Sequence, residues 1–214
     1  MSISPQPSPP PISLPPAIGC APPAVFRLSV DQYHQMIEVG VLNASDNVEL
    51  LEGLLVPKMG KKRLHSFVTG MLVELLRQLC GARFFVDSQE PVSLADSEPE
   101  PDVVVVRGSR QDYQASHPRA DQIPLLVEVA DTSLAQDEGL KMRIYARTNV
   151  TLYWLVNLVN RDVTVFSQPS GPSIAPGYGQ QRVFRIGEML PLQLDGEKLG
   201  EIAVRDLFPA QPSP

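Results

Sequence analysis

The chain has 214 residues, of which 43% are hydrophobic and 20% charged. That length and balance suit one water-soluble domain with appendages, long enough to bury a core without staples. The formal net charge of −6 excludes a broadly basic, nucleic-acid-coating surface. It leaves open a local basic groove, or an acidic site that recruits a metal ion before a phosphate arrives. Cys20 and Cys80 stand far apart and in no metal spacing. No disulfide framework is expected, and a reducing, cytoplasmic setting is the simpler expectation.

Residues 1 to 24 hold nine of the 22 prolines and are expected to form an extended or disordered tail. The first 26 residues carry no charge and lack the basic start and continuous apolar run of a signal peptide. "VTLYWLVNLV" is too short to cross a bilayer. A domain is expected over 25–208, with a short tail over 209–214. Within it, "LSVDQYHQMIEVG" predicts a helix capped by Ser29 and ended by Gly40, with Tyr33, Met36 and Ile37 on one face. "VELLEGLLV" (48–56) reads as a strand or a hairpin arm turning at Glu52-Gly53, and "KMGKKRL" as a basic loop. Val68, Leu72, Leu75, Leu76 and Leu79 recur at helical spacing over 65–80, and Gly81 stops that helix. "RFFV" (83–86) and "PVSL" (91–94) are short strand candidates. "PDVVVV" (101–106) is a β-branched strand bounded by Pro and Gly, and "PLLVEVA" (124–130) is a second apolar strand.

A helix is expected over 135–149, weakened by Gly139. Strands follow at 151–157 and 162–166. A Pro/Gly-rich loop covers 168–180, and the edge-like pieces "RVFRI" and "MLPLQL" come after it. The alternation points to a mixed α/β sheet with helices on its faces.

One residue in the second strand raises a question. Glu128 sits alone among Leu, Val and Ala, and a lone carboxylate is costly to bury unless something pairs with it. Strand alternation puts Leu126, Glu128 and Ala130 on one face. If the neighbouring strand is 101–106, Asp102 and Glu128 converge. Two close carboxylates repel unless a cation joins them, and oxygen ligands with room for water suit Mg²⁺. On the following helix, Asp137, Lys141 and Tyr145 share a face at i, i+4 and i+8, so Lys141 can point into the same cavity. Asp, Glu, a metal ion and Lys together can cleave a phosphodiester bond.

Plainer readings exist for each residue. Glu128 can be a structural carboxylate, Asp102 a turn cap after Pro101, and Lys141 a surface partner of Asp137. Asp96, Glu98 and Glu100 read as a solvated acidic loop. His34, His65 and His117 show no zinc spacing, and no nucleotide-binding or serine-hydrolase motif is present.

The ordered set of "PD" at 101–102, "EVA" at 128–130 and Lys141 resembles the PD-(D/E)xK nuclease superfamily. The usual lysine position, two residues after the acid, is here Ala130, and Lys141 on the next helix would fill the role. More widely, "VELLEGLLVPKMG", "HSFVTGMLVELL", "PEPDVVVV" and "LLVEVADTSLAQDEGLKMRIYARTNVTLYWLV" resemble the Uma-two family of restriction-endonuclease-like proteins over roughly residues 27–207. The resemblance implies a restriction-endonuclease-like α/β fold, a mixed central sheet flanked by helices. It also implies Mg²⁺, or alternatively Mn²⁺, held by Asp102, Glu128, the Val129 carbonyl and Glu49, with Lys141 as catalytic lysine. His65 matches a recurrent family histidine for which a structural role is at least as good a reading.

The expected function is a Mg²⁺-dependent DNA endonuclease, with DNA as partner, no membrane association and room for a homodimer. The alternative is a nuclease-fold binding or assembly protein with little or no catalysis. A third, weaker reading is a carboxylate-based hydrolase of a small phosphate or sugar, which would need a deep closed pocket.

Overall fold

Two elements before the sheet set the geometry of the first acid. In this computed structural model, which describes residues 24–210, the helix α1 (Val30–Glu38) begins in a capping box between Ser29 and Gln32 and buries only Tyr33; Ile37, expected on the same face, is exposed. The strands β1 (Val48–Leu51) and β2 (Leu54–Pro57) form an antiparallel hairpin. Its two turn residues, Glu52 and Gly53, have φ of 48° and 75°, the left-handed pair that a tight hairpin turn needs. A Cβ at Gly53 would lie 2.6 Å from the Cβ of Arg27. The expected Pro-rich segment lies outside the described residues save Ala24, as does the terminal tail beyond Ala210.

The helix α2 (Arg63–Cys80) starts two residues before its expected position and buries Val68, Leu72, Leu76 and Cys80 along one stripe. Burial pushes the free Cys80 thiol up to about 11. The strands β3 (Phe84–Asp87), β4 (Val103–Arg107), β5 (Leu125–Ala130), β6 (Leu152–Asn157), β7 (Asp162–Pro169) and β8 (Tyr178–Arg185) make one six-stranded sheet in that order. Only the β5–β6 pair is parallel; the other neighbours are antiparallel. A parallel pair needs a crossover, here the short helix α3 (Leu134–Gln136), a π-helical turn (Asp137–Lys141) and the helix α4 (Met142–Arg147). The expected single helix over 135–149 is therefore a composite.

Three smaller expectations are corrected. "PVSL" contributes a single bridge, Ser93 to Arg119, because Pro91 and the turn that follows leave no run of paired residues. β7 and β8 extend into the expected 168–180 loop. The strand β9 (Met189–Leu194) pairs with β10 (Glu197–Ala203), whose sequence carries little apolar alternation, in a separate two-stranded sheet.

Each face of the main sheet is covered. Val103, Val105, Leu125, Val127, Val129, Trp154 and Val156 pack under α2 and the β9–β10 hairpin. Val104, Val106, Leu126, Ala130, Tyr153 and Leu155 pack with Ile144 and Tyr145 of α4 and with Leu51 of the hairpin. Asp102 and Glu128 have the parity of this second face. Leu72 is fully buried in the α2 core. Leu72→Ala is expected to cost about 2–5 kcal/mol in urea unfolding, while Ile174→Ala, at a fully exposed position, stays within about 0.5 kcal/mol.

Candidate active site

Register brings the two acids together. Val103 pairs with Val127, so continuing the antiparallel ladder by one residue sets Asp102 opposite Glu128. Asp102 closes the gap by accepting the Val129 N–H at 2.9 Å through Oδ2. The same oxygen lies 3.0 Å from His65 Nε2, on the first turn of α2. Its other oxygen, Oδ1, lies 3.5 Å from Lys61 Nζ. A residue's N–H and C=O point to the same side of a strand. The Val129 carbonyl therefore faces the Asp102 side, beyond the last paired residue of β4, while the Ala130 carbonyl turns to β6 and accepts from Leu158.

Glu128 faces a lysine and a tyrosine. Lys141 Nζ lies 3.0 Å from its Oε1, and the Tyr145 hydroxyl donates to that oxygen at 2.6 Å. Lys141 also lies 3.3 Å from Glu49 Oε1, and Glu49 Oε2 accepts the Glu100 N–H at 3.2 Å. Tyr153 stacks edge-on to Tyr145 and donates to the Asp137 carbonyl in the π turn. In that turn the Met142 N–H reaches back to Asp137, and the local widening carries Asp137 and Lys141 into the interior together. Gly139 sits inside it with open space where a Cβ would go.

Four carboxyls, Glu49, Asp102, Glu128 and Asp137, are thus buried beside one buried ammonium. Burial pushes Glu128 up to about 8 against the attraction of Lys141, and pushes Asp137 up as well. Burial works against the Lys141 ammonium too, but Glu128, Glu49 and Asp137 outweigh it and hold its pKa above the ordinary value. For Asp102 burial acts upward. The hydrogen bond and charge of His65, the Val129 N–H and Lys61 outweigh it and hold the carboxyl low.

The buried acids line a cavity of about 60 Å³, room for a few water-sized groups. Among the described residues no three His, Cys, Asp or Glu side chains converge as an ion would require. The donors still fit a hard divalent cation in kind. They are carboxylate oxygens in excess of buried positive charge, and neither Asp102 Oδ1 nor Glu128 Oε2 accepts a hydrogen bond among the described residues.

Asp102, Glu128 and Lys141, which residue spacing nominated, and Glu49, which the resemblance implied, line one cavity, and Val129 meets it through the N–H that binds Asp102. The structure adds His65 as partner of Asp102 and Tyr145 as partner of Glu128. The i, i+4, i+8 face and the stretch that resembles the family were the sequence signals for Tyr145, and nothing local signalled the His65 contact. The reading of Asp96, Glu98 and Glu100 as a solvated loop fails at Glu98, while Asp96 and Glu100 stay partly exposed. Glu98 is buried, bound by His34 at 2.8 Å and by Ser93 at 2.6 Å, because the segment tucks under α1 and the β1–β2 hairpin.

Residues 30–204 match the sequence profile of the Uma2 family, described as "Putative restriction endonuclease". The chain belongs to the Uma2 family. A solved structure with a similar fold is that of "a putative nuclease belonging to DUF820" from Anabaena variabilis. It is 15% identical with a TM-score of 0.64, and the match covers 85% of this chain and 97% of that one. That likeness shows the fold, and the restriction-endonuclease-like α/β architecture is borne out. No curated protein matches the chain. Within this Uma2 chain, no helix among the described residues is long and apolar enough to cross a membrane.

The raised Glu128 carboxyl has a measurable consequence. Folded, it keeps its proton up to about pH 8; unfolded, only to its ordinary value of 4.5. The folded state holds the extra proton between these limits. The stability Glu128 contributes is complete below about 4.5 and is lost as pH rises toward 8. With chelator present, unfolding free energies measured across that window are expected to fall for the wild type and to fall less for Glu128→Gln.

Proposed function

We propose that this Uma2 protein is a divalent-metal-dependent endonuclease that hydrolyses phosphodiester bonds in DNA. The observation that carries the reading is the single cavity in which Lys141 faces Glu128 and Glu49 beside Asp102, in a chain whose family description is that of a restriction endonuclease. Asp102, Glu128, the Val129 carbonyl and Glu49 would hold a Mg²⁺ or Mn²⁺ ion. When bound, such an ion supplies Lewis-acid polarisation of a phosphate and a lower pKa for water.

The chain's own residues do the rest. His65 and the Val129 N–H fix the Asp102 carboxylate in one orientation. Tyr145 holds Glu128 Oε1 and leaves Oε2 directed elsewhere. Lys141 keeps its proton, so it serves as a fixed positive charge rather than a base. A preorganised cation in a partly dry site stabilises charge that develops on a phosphate and needs no reorganisation to do so. The parallel β5–β6 crossover supplies the rigidity, since the acid and the lysine lie on consecutive elements of one unit.

The binding-protein alternative separates cleanly. Purified protein with supercoiled plasmid and Mg²⁺ or Mn²⁺ is expected to nick or linearise the DNA. Asp102→Asn should abolish cleavage, and Lys141→Gln should slow it about 10²–10³-fold. Intact plasmid with both ions, from wild-type protein that folds cooperatively, would leave a nuclease fold without the reaction. Independently of turnover, Mg²⁺ is expected to raise the thermal midpoint of the wild type by mass action, and that shift should vanish in Asp102→Asn.

A further inference from the structure

The chain has five lysines, and three of them, Lys58, Lys61 and Lys62, stand together between β2 and α2. All three line the mouth of the cavity whose floor holds the buried acids. Each is paired with an acid of the site or its rim: Lys58 with Glu100, Lys61 with Asp102 at 3.5 Å, and Lys62 with Asp131 at 2.8 Å. Their side chains are 24%, 35% and 64% exposed, so solvent and ligands reach them. Lys141 on the floor is 9% exposed. The cavity is layered, with buried acids below and partly exposed cations above.

We propose that Lys58, Lys61 and Lys62 form the phosphate-binding rim for a nucleic-acid backbone, and that Lys61 exchanges its hold on Asp102 for a phosphate when a divalent cation takes Asp102. This rests on the nuclease reading above for its second half. The first half needs only the lysines. The Lys58–Glu100 and Lys62–Asp131 pairs are open to solvent on both sides, so handing either ammonium from a carboxylate to a phosphate gives up little; Asp102 is buried, so Lys61 leaves it only as a cation takes its place. Lysine suits the task as a compact point charge with three donors on a flexible stem. Three such charges spread across an open mouth meet successive phosphates of a chain. The layering also explains how a protein of net charge −6 can hold a polyanion: the attraction is local, and the distant negative charge is screened at physiological salt.

The Lys61 exchange has a signature of its own. Lys61 occupies Asp102 Oδ1, the oxygen that accepts no hydrogen bond, so it competes with a cation for that atom. Removing the ammonium is expected to strengthen cation binding and weaken nucleic-acid binding at once. A lysine that merely held the loop in place would weaken both when lost.

The test uses the full chain, a fluorescent DNA duplex and fluorescence anisotropy across a salt series in EDTA, where no cleavage occurs. Lys58→Gln/Lys62→Gln is expected to bind more weakly and to lower the slope of log affinity against log salt by about 1.8, at ~0.9 per phosphate contact, since without a cation Lys61 stays on Asp102. Lys198→Gln, paired with Glu201 outside the cavity, should leave slope and affinity unchanged. If the double variant does not fold, Lys58→Gln and Lys62→Gln should each lower the slope by about 0.9. A slope equal to that of the wild type, an equal loss in Lys198→Gln, or no duplex binding by the wild type overturns the rim. In the second arm, calorimetric titration with Mn²⁺ and no DNA should show tighter binding to Lys61→Gln than to the wild type. Equal or weaker Mn²⁺ binding overturns the exchange. Failure of plasmid cleavage alone bears on the nuclease reading and leaves the EDTA result standing.

Discussion

The interior contact of the Lys141 ammonium with Glu128 and Glu49 is the constraint on which the architecture around the site depends. Burying a carboxylate without a partner costs several kcal/mol, and removing one member of a buried pair leaves the other uncompensated. Three separate pieces of chain must therefore dock in one arrangement: β1 bringing Glu49, β5 bringing Glu128 and the π turn bringing Lys141. The outer shell repeats the logic in a wetter setting. Arg143 of α4 grips Glu52 in the hairpin turn with two hydrogen bonds, and Arg147 reaches Glu52 and Asp96. The hairpin is thus tied to the β5–β6 crossover at its buried edge by Lys141 and at its exposed edge by Arg143 and Arg147.

The charge balance of that interior is uneven by design of the chain. Four buried carboxyls meet one ammonium, and the mismatch appears as a Glu128 that holds its proton near neutral pH. A well-satisfied structural ion pair has no such surplus. Perturbed carboxyls in a cavity are a mark of sites that handle cations or protons. The π turn belongs to the same pattern. It is a less regular helical form that recurs at functional positions, and here it lets Asp137 and Lys141 point inward together without breaking the packing of Ile144 and Tyr145 one turn later.

Much of this was legible in the residue order. Two-residue alternation placed Glu128 with Leu126 and Ala130, and helical spacing placed Lys141 with Asp137 and Tyr145. Both hold because the period of a strand or helix is local and each face has one buried side. The apolar runs of β4 and β5 and the stripe of α2 were readable for the same reason. Less legible were β10, which is polar and survives by pairing with β9, and the Pro-flanked "PVSL", whose apolar residues are buried without forming a strand. The interruption of the 135–149 helix left no trace beyond Gly139, because a π turn is a choice between adjacent hydrogen-bond partners that tertiary packing decides.

The sequence by itself therefore determined which side chains share a face, which segments are core, and which acids and lysine were candidates for one site. Only the tertiary structure decided who meets whom across the chain. His65 and Asp102 are 37 residues apart, Tyr145 and Glu128 are 17 apart, and His34 reaches Glu98 across 64. Local periodicity carries no information about such pairs, because they depend on how whole elements dock. Docking is set by the summed burial of many apolar side chains and by the requirement that every buried charge end beside a partner.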